Sequence, residues 1–157
     1  MVKMETLVRA GEILDEAGIE WWVIDGTCLS LVRSGKMEEW QMDVDVGVWD
    51  IPAATAALKA AGWADVGTYK NQFKSGGKLD VLGHRREGDQ VLVEYIENVT
   101  YGFSARLFDE FGTVEAEGYT FRTPSPVEDY LTEHYGDWRT PIKEWVWQKA
   151  PCVVRRG

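Results

Sequence analysis

Two aspartates, Asp43 and Asp45, stand one residue apart in the run Trp40-Gln-Met-Asp-Val-Asp-Val-Gly-Val-Trp49. Valines alternate with them, and an apolar period of two marks a β-strand whose successive side chains point to opposite faces. Val44, Val46 and Val48 are therefore assigned to the core. Asp43 and Asp45 share the other face, about 7 Å apart along the strand. Two like charges held that close are unfavourable unless something neutralises them. A hard divalent cation does so, because Mg²⁺ takes one or two carboxylates and fills its other positions with water and substrate phosphates. A lone Asp-x-Asp equally suits the wet face of an amphipathic strand, so the neighbouring motifs decide.

Upstream, an apolar run from Ile19 to Ile24 leads into Asp25-Gly-Thr-Cys-Leu-Ser-Leu-Val-Arg-Ser-Gly35. This predicts a strand, a tight Gly26-Thr27 turn and a short helix carrying Leu29, Leu31, Val32 and Arg33. Glycine lets the backbone approach a ligand, helix-opening N–H groups favour anions, and Thr27 suits the N-cap. Gly26 and Thr27 are thus candidates to cradle phosphates, against the plainer role of a strand-to-helix turn. Arg33 is the cation best placed on a phosphate, because a guanidinium bridges two oxygens; the alternative is a solvated arginine at the helix end. Downstream, Lys78-Leu-Asp-Val-Leu-Gly83 is an apolar strand with Asp80 in its middle. An unpaired carboxylate buried there is costly. Asp80 either joins Asp43 and Asp45 as a ligand or general base, or pairs with Lys78 or Arg85. Lys70 and Lys74 are weaker phosphate candidates. His84 could shuttle a proton but reads better as structural. Trp40 and Trp49 flank the acidic strand and could wall a pocket or stack on a base.

A Gly-Thr turn before a helix, an Asp-x-Asp strand and a further Asp on a neighbouring strand resemble the layout of the nucleotidyltransferase superfamily. Within it, Asp25 to Gly35 followed by Trp40-Gln-Met-Asp-Val-Asp-Val-Gly47 is similar to the LicD and fukutin-related family. There a Gly-Thr-Leu-Leu-Gly-x-x-Arg-like segment precedes a Trp-Asp-Asp-Asp-x-Asp-x-Gly strand. Pro124-Ser-Pro-Val-Glu-Asp-Tyr-Leu-Thr-Glu-His-Tyr-Gly-Asp-Trp138, then Pro141, is similar to the segment closing those domains. The resemblance implies a nucleotidyltransferase-like mixed sheet flanked by helices. It also implies a phosphotransferase dependent on Mg²⁺ or Mn²⁺ held by Asp43, Asp45 and Asp80. Such an enzyme moves a phospho-substituent, phosphocholine or ribitol phosphate for example, from a CDP-linked donor to a hydroxyl acceptor. Gln41 and Met42 stand where the family commonly has further aspartates, so the site is less acidic than the pattern. Two other readings follow. A small nucleotidyltransferase attaching a nucleotide to a protein, RNA or small molecule suits the short chain. An inactive protein of the same fold, binding a partner, suits Gln41 and Met42.

At 157 residues the chain is long enough to bury about two-thirds of its unfolded surface in one domain. The expected domain covers residues 1–151, and the tail, 152–157, is expected to be at least partly disordered. A net charge of −9 argues against a sequence-independent grip on nucleic acid, which relies on Lys and Arg. No run is long and charge-free enough to span a bilayer, and the first residues carry charges where a signal peptide has its apolar stretch. A cytoplasmic protein is the expectation. Two cysteines, Cys28 and Cys152, are too few for a disulfide framework.

Helical spacing predicts a helix over residues 3–17 ended by Gly18, and Ile51-Pro52 opens a second helix running to Ala61. Strands are predicted at Trp63 to Tyr69, Asn71 to Lys74, Lys78 to Leu82, Val91 to Ile96, near Tyr101 to Ser104, and at Tyr119 to Arg122. Gly76-Gly77 is expected as a hairpin turn. Ser125-Pro-Val-Glu128 has capping-box spacing for a last helix, on which Tyr130, His134, Tyr135 and Trp138 are packing residues. The fold class is α+β with a mixed sheet.

Overall fold

The computed structural model describes residues 2–65, 72–75, 77–142 and 144–155. Helix α1 spans Val2–Glu16, and its Met4, Leu7 and Leu14 are buried as their spacing predicts. β1 (Trp21–Val23) leads directly into α2 (Asp25–Ser34), which ends on Gly35 in the left-handed conformation. β2 covers Val44–Val48, and its three valines are buried. In α3 (Ile51–Ala60) the Asp50 carboxylate accepts the Ala53 N–H at 3.0 Å, capping a helix with Pro52 in its first turn.

β3 (Ala64–Asp65), β4 (Gln72–Ser75), β5 (Gly77–Glu87), β6 (Gln90–Glu94) and β7 (Thr100–Ser104) follow. β8 (Gly112–Ala116) and β9 (Tyr119–Thr123) form a separate hairpin, then come α4 (Val127–Tyr135) and β10 (Val153–Arg155). The main sheet runs β1-β2-β5-β6-β7-β10, with β4 also on β5 and β3 on β4. Among these pairs β2 and β5 are parallel, and the others are antiparallel. Parallel neighbours need a crossover, and α3 lies on it. Helices α1 and α3 pack on one another and on β5. The mixed sheet flanked by helices is thus as expected. Among the described residues no helix is long and apolar enough to cross a membrane.

Several local expectations change. Pro126 is the N-cap of α4 and no side-chain cap bond forms, so the Ser125–Glu128 capping box is not made. β5 extends to Glu87, because its second half finds β6 as an antiparallel partner. β8 was not predicted. Residues 153–155 of the expected tail form β10, held against Tyr101 and Thr100 of β7. The predicted strand residues 66–69, Lys70, Asn71 and the turn residue Gly76 lie outside the described residues.

Trp22 pairs with Gly47 across β1 and β2. Its indole packs against Trp49, Phe108, Phe111 and His84 at centroid distances of 4.9–5.9 Å. Burial pushes the His84 imidazole down to about 4, so it is a neutral member of this aromatic cluster rather than a proton shuttle. A Cβ on Gly47 would lie 2.6 Å from Trp22 Nε1 and 2.8 Å from His84 Cε1. Both rings are fixed by their neighbours. Gly47→Ala should therefore destabilise the fold by about 1–3 kcal/mol, the usual range for overpacking. A lower urea midpoint at unchanged slope would show it; an unchanged midpoint would mean the cluster can shift.

Candidate active site

Asp45 and Asp80 are register partners on the parallel strands β2 and β5. Neighbouring strands lie about 4.8 Å apart, and directly paired residues share a face, so the two carboxylates are held side by side. Their apolar neighbours in register, Val46 and Val81, are fully buried on the other face. The register thus places Asp80 of β5 beside Asp45 of the Asp-x-Asp pair. Asp43 sits just before β2 and lines the same cleft.

A further half-buried carboxylate closes the group, and the sequence reading passed over it. Asp25, the first residue of α2, has φ +49°, in the left-handed region that non-glycine residues seldom occupy. Such strain persists only where the surroundings impose it, and it gathers at functional sites. Here the Tyr95 hydroxyl donates to Asp25 Oδ2 at 2.6 Å, and the Asp25 N–H donates to the Tyr130 hydroxyl oxygen at 3.1 Å. His134 Nδ1 is 3.7 Å from Asp25 Oδ1. Burial pushes the His134 imidazole down to about 3, so the contact is with a neutral ring and is not an ion pair.

These carboxylates raise one another's affinity for protons. Burial lifts the Asp25 carboxyl to about 7; the Tyr95 hydrogen bond works against this, and the Asp80 charge adds to it. Burial also lifts Asp45 well above the carboxylate range, followed by the charges of Asp25 and Asp80. A Gln41 hydrogen bond opposes that rise, and one shared with Asp80 adds to it. Like charges in a low-dielectric site hold protons until a cation replaces them.

The group lies in a cleft of about 690 Å³. Much of its remaining lining is an aromatic wall of Tyr95, Tyr101, Tyr135, Trp145 and Trp147; the Tyr95 ring centroid lies 4.5 Å from that of Tyr101 and 5.9 Å from that of Trp147, and Tyr135 lies 4.8 Å from Trp145. Trp40, 49% exposed, stands at the acidic end. Glu94 and Glu97 add carboxylates, and Arg155 of β10 is the Lys or Arg that lines the cleft among the described residues.

No family model matches the chain. Ribitol-5-phosphate transferase FKTN of Mus musculus is 28% identical over 166 residues, a match covering 96% of this chain and 36% of the relative. The proteins of the same description from Homo sapiens and Macaca fascicularis are each 26% identical over 168 residues, with the same coverage. The chain is similar to ribitol-5-phosphate transferases. It spans 36% of the length of these curated relatives.

The other predicted site residues are placed differently. The Arg33 guanidinium donates to Glu38 Oε2 at 2.9 Å and to the Trp138 carbonyl at 3.0 Å. It ties the end of α2 to the segment after α4 and is absent from the cleft lining. Thr27 is not the N-cap, a place taken by Ile24; its hydroxyl is buried and accepts the Asp45 N–H at 2.8 Å. Gly26 does line the cleft. Trp49 belongs to the aromatic cluster and donates to Glu20. Lys74 is exposed on β4 and absent from the cleft lining.

Among the described residues no group of three His, Cys, Asp or Glu side chains is arranged to hold a metal ion by itself. Mg²⁺ does not require one, since it binds through one or two carboxylates plus water and substrate phosphates. The donors present are hard oxygens, adjacent and short of positive charge. They fit a hard divalent cation.

Proposed function

We propose that the chain is a phosphotransferase using Mg²⁺ or Mn²⁺, which moves a phospho-substituent such as ribitol phosphate from a CDP-linked donor to an acceptor hydroxyl. The observation that carries this reading is the pairing of Asp45 with Asp80, beside Asp25, on the floor of one cleft. The similarity to ribitol-5-phosphate transferases supports the substrate class.

Asp45 and Asp80 would hold the ion from neighbouring strands, with Asp43 at the strand's entry. The ion supplies charge neutralisation at the phosphoryl oxygens and the leaving group. The acceptor oxygen forms its bond to the distal phosphorus of the donor, the bond from that phosphorus to the bridging oxygen breaks, and CMP leaves with the electron pair. Asp25, the neighbouring carboxylate not engaged with the ion, would receive the hydroxyl proton. Arg155 takes the phosphate-contacting role first given to Arg33. The aromatic wall offers ring faces for the donor's base or sugar.

Thermal denaturation tests this directly, because a ligand specific for the folded state raises the melting temperature. The expected result is a rise with Mn²⁺ and CDP-ribitol together, exceeding that with either alone, and CMP release once an acceptor is added. A larger rise with ATP, and transfer of the AMP label, would replace the reading with nucleotidyl transfer. No rise with any metal and nucleotide pair would sink it.

A further inference from the structure

Gln41 precedes β2 in an irregular segment, yet it is only 5% exposed. Its Nε2 donates to Asp45 Oδ2 at 2.9 Å, to Thr27 Oγ1 at 3.3 Å and to the Asp43 carbonyl. Thr27 Oγ1 also accepts the Asp45 backbone N–H. One amide thus joins the first turn of α2, the entry of β2 and one oxygen of a carboxylate in the acidic group. Only a donor can serve all three oxygens, and a carboxylate in its place would add charge and remove the donor they share.

The amide reaches this position through Gly26. A Cβ at residue 26 would lie 2.1 Å from Gln41 Oε1 and 2.9 Å from its Cδ. Those distances are far inside contact, and the amide is pinned at its other end, so it cannot simply swing aside. The space that an alanine would fill at position 26 is the space the amide occupies. Residues 26 and 41 are a matched pair.

We propose that Gln41 is a positioning residue for Asp45, fixing the rotation of its carboxylate toward the cleft, and that Gly26 is glycine to admit the Gln41 amide. This rests on the metal site proposed above. Residues that orient a metal ligand by a hydrogen bond typically change metal affinity 10- to 100-fold when replaced. A buried glutamine serving only the fold has no such effect once the fold is intact.

The experiment is a Mn²⁺ titration by electron paramagnetic resonance on the purified chain, with no substrate. Gln41→Met keeps the volume against Gly26 and removes only the donor. It should bind Mn²⁺ at least tenfold more weakly than the parent, with a native circular dichroism spectrum. Gly26→Ala should show a comparable loss, and the double variant should be no weaker than either single one. That non-additivity is the signature of a shared action. Parent-like affinity in Gln41→Met, with binding lost in Asp45→Asn, would overturn the inference and leave the metal site standing. Losses that simply add in the double variant would overturn the pairing of Gly26 with Gln41. No Mn²⁺ binding by the parent would overturn the inference and the metal site together.

Discussion

Asp45→Asn and Asp80→Asn, made separately, should each cut transfer by a factor on the order of 10² to 10³ or more, while the metal-free protein becomes more stable. The rate loss is the size expected when a preorganised electrostatic group is removed from a site of developing charge. The opposite sign in stability follows from the arrangement of the acids. Asp45 and Asp80 are adjacent in register; the Asp80 charge bears on both Asp25 and Asp45, and the Asp25 charge bears on Asp45. An asparagine keeps the shape of the carboxyl, removes a group that must either carry charge or hold a proton in the fold, and offers an amide N–H to the remaining carboxylate. Each kcal/mol relieved is worth roughly 2–4 °C in melting temperature for a chain of this size. Most buried substitutions destabilise, so a loss of activity coupled to a gain in stability separates a functional cluster from a structural one. Activity assayed with a CDP-linked donor, beside melting curves in chelator, gives both readings. Lower melting temperatures in both variants would show that these aspartates hold the fold, and full activity would place the chemistry elsewhere.

Asp25→Asn should have no effect on metal-free stability near pH 3 and a clearly stabilising one above pH 7. The Asp25 carboxyl titrates at about 7 in the folded protein against an ordinary value of 3.8. Below the lower value it is protonated in both states and contributes nothing. Between the two, the folded state holds a proton that the unfolded state has released, so stability falls as pH rises; above about 7 the cost is constant. His84 and His134 act in the opposite sense over an overlapping range. Their folded values, about 4 and about 3, lie below the ordinary 6.5, so they cost stability as pH falls through 6.5. Parent and variant share those histidines, and the difference between their urea unfolding free energies isolates the aspartate. Asparagine still accepts the Tyr95 hydroxyl, which keeps the comparison clean. A pH-independent difference would mean that Asp25 is ionised in the fold at low pH and sits in a more polar place than the structure gives it.

The alternation of Val44, Val46 and Val48 against Asp45 was legible because a half-buried strand writes its period into the chain. So were α1 and α3, one marked by apolar spacing and the other by Pro52 at its start and Gly62 past its end. Asp80 was legible as a neighbour of the acidic strand, because a lone carboxylate in an apolar run needs a reason. Asp25 was not: at the end of a strand it looks like a turn residue. Its partners, Tyr95 and Tyr130, lie far along the chain, and its left-handed backbone has no local signature. Arg33 failed for the same reason in reverse. An arginine near a phosphate motif suggests a ligand, and nothing nearby announces that the distant Trp138 carbonyl will take it. β8 was missed because Gly-Thr-Val-Glu-Ala is mostly outside the core and pairs only with β9. β10 was missed because its pairing partner, β7, lies some fifty residues earlier.

Strand β5 changes partners half-way, parallel to β2 over Leu79–Gly83 and antiparallel to β6 over His84–Glu87. The acids come from its first half and the elements before it. The aromatic wall comes from the chain after β6, as far as Trp147. On the proposed reading, reaction and selection are written in two different stretches of sequence that line one groove and share a single spine. A lineage could exchange aromatic residues of the second stretch, keep Tyr95, Tyr130 and Arg155, and accept a new cargo without disturbing the acids. The converse exchange would break the spine.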